Sequence, residues 1–390
     1  MLRFLTAGES HGKGLTMIVE GIPAGLELSE DYLAVDLRRR QGGYGRGRRQ
    51  KIEQDRAEIM SGVRHGRTIG SPITLWVQNR DHVNWTEVMS VDPVESEVER
   101  VTRLRPGHAD LAGAVKYDFD DVRPVLERAS ARETAARVAV GGVCKRLLEE
   151  FGMSFHSHTV QIGTVEAVVP EEIDWGAVEE SPVRCADAKS AERMVAAIDD
   201  ARNSGDTLGG VVEGRVSNVP VGLGSHVHWD RKLDGRLAQA LMSIHSAKGV
   251  EIGGGFGLTK LTGAKVHDVI LPREQWADRP WARATNNAGG TEGGITNGQD
   301  VVVRVALKPI ATLPKSLPSA DLLTGEEIPA HYERSDVCVV PAAGVIVEAM
   351  CAIVLATAAL EKFGGDHMNE TLRNFRAFQA TTGPRSLLES

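Results

Sequence analysis

Residues 38–49 read Arg-Arg-Arg-Gln-Gly-Gly-Tyr-Gly-Arg-Gly-Arg-Arg, six arginines and four glycines without one carboxylate. A guanidinium fork matches phosphate and carboxylate groups, so the segment offers recognition of an anion. The chain has a formal net charge of −8, and removing these six positive charges leaves −14 on the remainder. Such a molecule repels polyanions as a whole while one segment attracts. Three readings stand: a solvated helix end followed by a loop, an RNA-binding segment of the Arg-Gly kind, or one wall of a small-anion pocket. Only Tyr44 supplies a stacking ring and the rest of the chain is acidic, which favours the small anion over RNA.

Five further groups could carry chemistry. Glu9-Ser10-His11-Gly12 puts a histidine in a tight polar loop directly after a first short strand. Arg105-Pro-Gly-His108 puts a second histidine beside an arginine across a turn, suited either to acid–base work next to an anion or to a plain surface turn. In Arg128-Ala129-Ser130-Ala-Arg132-Glu133, Ser130 and Glu133 have capping-box spacing, and two arginines flank the helix start this implies. Lys308-Pro309-Ile310-Ala311-Thr312 ends a strand, and Arg334-Ser-Asp336 precedes a long apolar stretch. That last pair reads either as an ion pair or as a carboxylate kept ionised to orient a cofactor or accept a proton.

The elements that must position these groups alternate along the chain. Runs rich in Val, Ile and Thr predict strands at 16–22, 58–63, 73–78, 160–169, 210–219 and 301–308. Helix-like spacing predicts helices at 30–41, with Ser29 as N-cap, and at 131–150, 188–203, 233–243 and 342–362. A layered α/β or α+β fold follows. No Pro/Ser-rich linker or charge block divides the chain, so residues 1–390 read as a single domain.

Other chemistries find little support. No strand–GxGxxG–helix arrangement and no Walker loop occur. The pairs His156/His158 and His226/His228 would face one way on a strand, but no cysteine or carboxylate stands at ligand spacing, so no metal is expected. Four scattered cysteines fit free thiols and a cytoplasmic location, and no export signal is read. The stretch 342–360 approaches membrane-spanning length, yet it is alanine-rich, carries Glu348 near its middle and has helix stop signals, so a buried core helix is expected.

Ten segments, in order, resemble the chorismate synthase family: Ala7–Gly12, Arg39–Gly47, Arg105–Asp110, Glu127–Thr134, Gly205–Glu213, Pro220–Ser225, Lys248–Gly253, Gly293–Gly298, Lys308–Ile310 and Arg334–Asp336. The resemblance implies a lyase that converts 5-enolpyruvylshikimate 3-phosphate to chorismate and phosphate by trans-1,4-elimination, the last step of the shikimate pathway toward aromatic amino acids. It implies a need for reduced FMN, since an unactivated ring proton is a poor match for side-chain bases. It also implies an α+β fold, a β-α-β sandwich whose antiparallel sheets enclose central helices, assembled as a homotetramer.

Carried over by position, His11 would protonate the departing phosphate, His108 would act beside the flavin, and Asp336 would assist proton transfer there. Flavin contacts fall on Arg128, Ala129, Ser130, His245, Ser246, Gly293, Lys308, Pro309, Ile310, Ala311, Thr312 and Arg334. Substrate contacts, or NADPH contacts in members that reduce their own flavin, fall on Ser10, Arg40, Arg46, Arg49, Arg105 and Arg132. Compact length points to an external flavin reductase. Ala129 replaces a serine of many members, and Ile244-His245-Ser246-Ala247 departs from the usual Asn/Gln/Pro-Ala pattern. The loop glycines suggest a lid over residues 42–49.

Overall fold

Strand alternation decides which faces are buried. In β2 (Gly14–Glu20) Leu15, Met17 and Val19 are buried while Ile18 is exposed, and in β6 (Ile73–Gln78) Ile73, Leu75 and Val77 are buried. These strands belong to the first antiparallel sheet, ordered β1-β2-β6-β3 with β1 at Arg3–Ala7 and β3 at Glu58–Ile59. The small hairpin β4–β5 (Val63–Arg64 and Arg67–Thr68) lies between β3 and β6. A second antiparallel sheet is ordered β10-β13-β9-β7-β8, from β7 (Ser154–Ile162), β8 (Val165–Glu166), β9 (Gly210–Ser217), β10 (Ala247–Ile252) and β13 (Val301–Leu307). The hairpin β11–β12 (Thr291–Glu292 and Ile295–Thr296) precedes β13. The computed structural model describes residues 2–47, 53–276, 280–333 and 336–384.

Among the described residues ten helices follow one another along the chain. α1 (Glu30–Gln41) opens at Ser29, whose side chain accepts from Tyr32 N, as the sequence predicts, and it ends at Gly42. Then follow α2 (Asp110–Tyr117), α3 (Arg123–Arg128), α4 (Thr134–Glu149), α5 (Trp175–Glu180), α6 (Ala188–Asn203), α7 (Leu233–Met242), the single turn α8 (Gly263–Val266), α9 (Val340–Phe363) and α10 (Met368–Gln379). α4 packs on β1, β2 and β6 of the first sheet, α9 packs on β7 and β9 of the second, and α4 and α9 pack on each other. This is the expected β-α-β sandwich with central helices.

The α4–α9 contact is possible because Gly141 has no side chain: a Cβ there would stand 2.3 Å from Ala349 Cβ and 2.6 Å from its Cα. The apolar stretch read as a core helix is α9, buried from Val340 to Ala356 along its length. Its one mid-helix charge, Glu348, accepts from Arg39 Nη1 at 2.8 Å and Nη2 at 2.9 Å, from Lys145 Nζ at 2.6 Å and from Ser157 Oγ at 2.5 Å. Asp36 and Glu179 hold the other sides of these cations.

Several boundaries differ from expectation. The strand predicted at 160–169 runs instead over Ser154–Ile162, and Val168 is exposed beyond it. Polar residues occupy its outer face because partners wait there: His156 stacks on Trp175 with centroids 4.6 Å apart, and buried His158 faces Glu213. The helix predicted from 131 begins as a short 3₁₀ turn at Ala131–Glu133 before α4.

Candidate active site

The turn 129–134 between α3 and α4 is the hub on which the predicted groups converge. Ser130 Oγ accepts from Arg132 N at 3.3 Å, but the predicted capping box does not form. Glu133 turns away instead, accepting from Thr6 Oγ1 at 3.0 Å and Arg137 Nε at 2.8 Å. Nor does Arg128 flank a helix start: it is the last residue of α3, exposed, and reaches Thr6 O at 2.9 Å and Gly8 O at 3.2 Å. Ser130 Oγ also donates to Ser10 Oγ at 3.1 Å.

His11 is fixed from three sides. Gly8, at φ +110, lets the loop after β1 turn where a Cβ would meet Gly14 O at 2.3 Å. His11 Nδ1 stands 2.8 Å from Glu127 Oε1, and its backbone N donates to Glu127 Oε2 at 2.7 Å. A carboxylate only accepts, so Nδ1 carries the hydrogen and Nε2 is left for chemistry. The ring stacks on Trp85, centroids 4.0 Å apart. Burial favours the neutral form of Glu127, but the hydrogen bonds and charge of His11, with Arg123, outweigh it and hold the carboxyl below its ordinary value.

His108 repeats the arrangement. Its Nδ1 lies 2.5 Å from Asp110 Oδ1, and Arg105 grips the same carboxylate from Nε at 2.8 Å and Nη2 at 3.0 Å. Burial opposes the charge on Asp110, and the bonds from His108 and Arg105 overcome it, holding the carboxyl well below the usual range. The strip after β13 locks onto this turn: Lys308 Nζ donates to Gly107 O at 2.5 Å, Arg105 Nη1 donates to Thr312 Oγ1 at 3.2 Å, and Ile310 O accepts from Thr207 at 2.8 Å. Pro309 is exposed on that strip and Ala311 lies near Gly107. Lys308 N donates to Ser246 O at 2.9 Å, and Ser246 adopts φ +68. Beside it, His245 Nδ1 is buried without a hydrogen-bond partner, 3.9 Å from Glu133 Oε2. Burial lowers the His245 pKa to about 4 against the pull of Glu133, and Arg137, His108 and Arg40 add like charge.

The arginines complete the surface. Arg40, buried at the end of α1, donates to Thr134 Oγ1 at 2.9 Å, Ala131 O at 2.9 Å and Asp55 Oδ2 at 3.3 Å. Arg132 grips the other oxygen of Asp55 and donates to Asn79 Oδ1 at 2.9 Å, while Asn79 ties down the His11 loop through Glu9 O and Gly12 O. Burial pulls Arg40 down to about 10 despite Asp55 and Asp336, and the like charges of Arg46 and Arg132 add to this. An anion placed among them relieves that repulsion. Arg46 Nη1 pairs with Asp336 Oδ2 at 3.1 Å, and Gly47 N donates to Asp336 Oδ1 at 2.5 Å.

Through Gly47 the glycine loop is docked: Tyr44 N donates to Pro182 O at 2.7 Å, Tyr44 OH to Asp199 at 2.8 Å, and Val337 N to Gly45 O at 2.8 Å. Arg49 and Arg334 lie outside the described residues. Gly293 does not join the cluster. It turns β11–β12, beside the opening of α7, whereas His245 and Ser246 follow the far end of that helix, roughly 15 Å along it by the rise per residue. The sequence reading missed Glu127, Asp110, Asp55 and Asn79 as site residues. Glu127 and Asp110 stand in the two motifs already singled out, so a histidine in search of a carboxylate was the available signal.

Two histidine–carboxylate pairs, four arginines and an unpartnered histidine nitrogen around one turn suit a small ester bearing phosphate and carboxylates. Comparison with known proteins agrees. The family model described as chorismate synthase matches residues 2–360. The chain is 56% identical over 388 residues to the chorismate synthase of Symbiobacterium thermophilum, covering 97% of this chain and 98% of that one. It is 56% identical to that of Moorella thermoacetica, covering 97% and 99%. A crystal structure of chorismate synthase superposes with a TM-score of 0.76 at 46% identity, covering 97% of each chain. The chain belongs to the chorismate synthase family.

Proposed function

We propose that the chain eliminates phosphate from 5-enolpyruvylshikimate 3-phosphate to form chorismate, with reduced FMN as cofactor. The observation that carries this reading is the convergence of Arg40, Arg132 and the His11–Glu127 pair on residues 129–134, to which the Arg105–His108–Asp110 turn is joined through Lys308, Ser246 and His245. Arg40, Arg46 and Arg132, with Ser10, would bind the substrate's phosphate and carboxylates. His11 would hold a proton at Nε2 for the phosphate oxygen as it departs, with Glu127 fixing the tautomer.

The groups that would hold a flavin lie around His108. The unpartnered His245 Nδ1, the Ser246 turn and the strip Lys308–Thr312 offer polar groups for a ribityl phosphate and ring edge, and Arg128, Ala129 and Ser130 lie across the hub. When bound, reduced FMN supplies electron density for the leaving phosphate and accepts the ring hydrogen. His108 would hold a proton at Nε2 beside it. Asp336 accepts from Gly47 N on one oxygen and pairs with Arg46 on the other, and each oxygen keeps a further lone pair with which it would take part in proton transfer.

A homotetramer in the cytoplasm, supplied with reduced flavin by a separate reductase or by NADPH at the loop arginines, completes the proposal. RNA binding is not favoured, because the rest of the chain is acidic and Tyr44, the one ring in the segment, is docked against Asp199. The test is an anaerobic assay with dithionite-reduced FMN, following chorismate absorbance and phosphate release. Turnover is expected; its absence sinks the reading. His108→Ala should cut turnover at least tenfold while keeping flavin binding.

A further inference from the structure

Behind His11 the side chains continue as a line of alternating charge. Glu127 Oε1, which takes Nδ1–H of His11 at 2.8 Å, also takes Arg123 Nη1 at 3.2 Å. The same Nη1 donates to Glu333 Oε1 at 2.9 Å, and Glu333 faces His331 Nε2 at 3.2 Å. The Arg123 guanidinium also lies 5.2 Å from the centre of Trp85, the ring on which His11 stacks. Both side-chain supports of the imidazole, its carboxylate and its aromatic platform, therefore touch one residue.

Resting on the reading of His11 as the acid that meets the leaving phosphate, we propose that Arg123 is a positioning residue for this reaction. By sharing Glu127 Oε1 and bracing Trp85, it fixes the aim of the imidazole and offsets the hold of the carboxylate on the proton that Nε2 must deliver. A carboxylate alone on Nδ1 makes the imidazolium too stable to act as an acid, and an acid works best when its proton affinity lies near the working pH. A cation on the shared oxygen Oε1 weakens that hold, and Glu333 on the far side of the guanidinium tempers the effect.

The other charged and titratable groups facing the His11 loop act on its backbone. His82 Nδ1 donates to His11 O at 2.9 Å, Arg128 Nη1 donates to Gly8 O, and Arg132 reaches the loop through neutral Asn79. Glu9 is the loop's own carboxylate.

The experiment measures kcat and kcat/KM against pH under reduced FMN, together with the titration of His11 by NMR of [¹³C]histidine-labelled protein assigned with His11→Ala. The expected result is opposite displacement of the alkaline limb: about one pH unit upward in Arg123→Gln and about one downward in Glu127→Gln, with Arg123→Lys returning the limb toward wild type. A purely structural role lowers kcat at every pH without moving the limb. Unmoved limbs, or displacement in the same direction, overturn the proposal. Should Glu127→Gln fail to fold, the NMR titration in Arg123→Gln decides alone, and an unmoved His11 titration overturns it. If His11→Ala keeps the wild-type profile, it is the reading of His11 as the acid that fails.

Discussion

Glu348→Gln replaces the one charge at the centre of α9 by an amide of the same shape. In the wild-type protein Asp36, Glu179 and Glu348 balance Arg39, Lys145 and Arg184 within one network that runs from exposed Glu179 to buried Glu348. The substitution leaves one positive charge unmatched. Breaking a buried pair costs about 3–5 kcal/mol, and because Asp36 and Glu179 keep hold of Arg39, Lys145 and Arg184, the lower end, about 3 kcal/mol, is expected.

The pH dependence of that loss follows from Glu348 itself. Burial favours its neutral form, but the charges of Lys145 and Arg39 prevail and hold the carboxyl well below its ordinary 4.5. A carboxyl depressed in the folded state contributes stability that is complete above its unfolded value and is lost as pH falls through its folded value. The two proteins should therefore differ most above pH 5 and converge toward pH 2. Urea unfolding followed by tryptophan fluorescence at several pH values measures the gap. A gap below about 1 kcal/mol at pH 7, or one that does not narrow in acid, refutes the argument. Lys145→Met combined with Glu348→Gln restores neutrality and should recover part of the loss.

Three other outcomes are expected. Gly141→Ala forces a methyl group into Ala349 and should destabilise the fold by about 1–3 kcal/mol or more in urea unfolding, with turnover per folded molecule retained. Asp55→Asn leaves Arg40 and Arg132 buried around a neutral amide, costing about 3 kcal/mol, and inorganic phosphate should raise its Tm more than that of wild type; an equal rise speaks against an anion site there. All four cysteines are buried, and burial pushes the Cys144 and Cys351 thiols up to about 12, so a thiol reagent should titrate none in the native protein and four in denaturant.

What the sequence revealed depended on range. Helices α1, α6, α7 and α9 were legible because their apolar spacing and stop signals are local. The short helices α2 and α3 were not, since at eight and six residues they are too short to show an apolar period and tertiary contacts decide. β10 was missed because Gly249 looks like loop and a bulge between Ala247 and Gly249 breaks its alternation against β13. In the site, the arginines and histidines were legible by type and motif. Their carboxylate partners mostly were not: Glu127 lies 116 residues from His11, and Asp55 lies 77 from Arg132. The box at Ser130–Glu133 had the right spacing, but an ion pair with Arg137 and a bond from Thr6 won the glutamate.

The position of α9 in the chain also bears on how the protein is made. The central layer that both sheets need is completed by residues 340–363, so on the ribosome the two sheets, Lys145 and Arg39 must wait until that segment is made. Contacts such as Gly141 against Ala349 join segments far apart in sequence, and such contacts form slowly. A nascent chain stalled before residue 340 therefore presents two unfilled apolar faces and a stranded cluster of cations, the kind of intermediate that holding chaperones recognise.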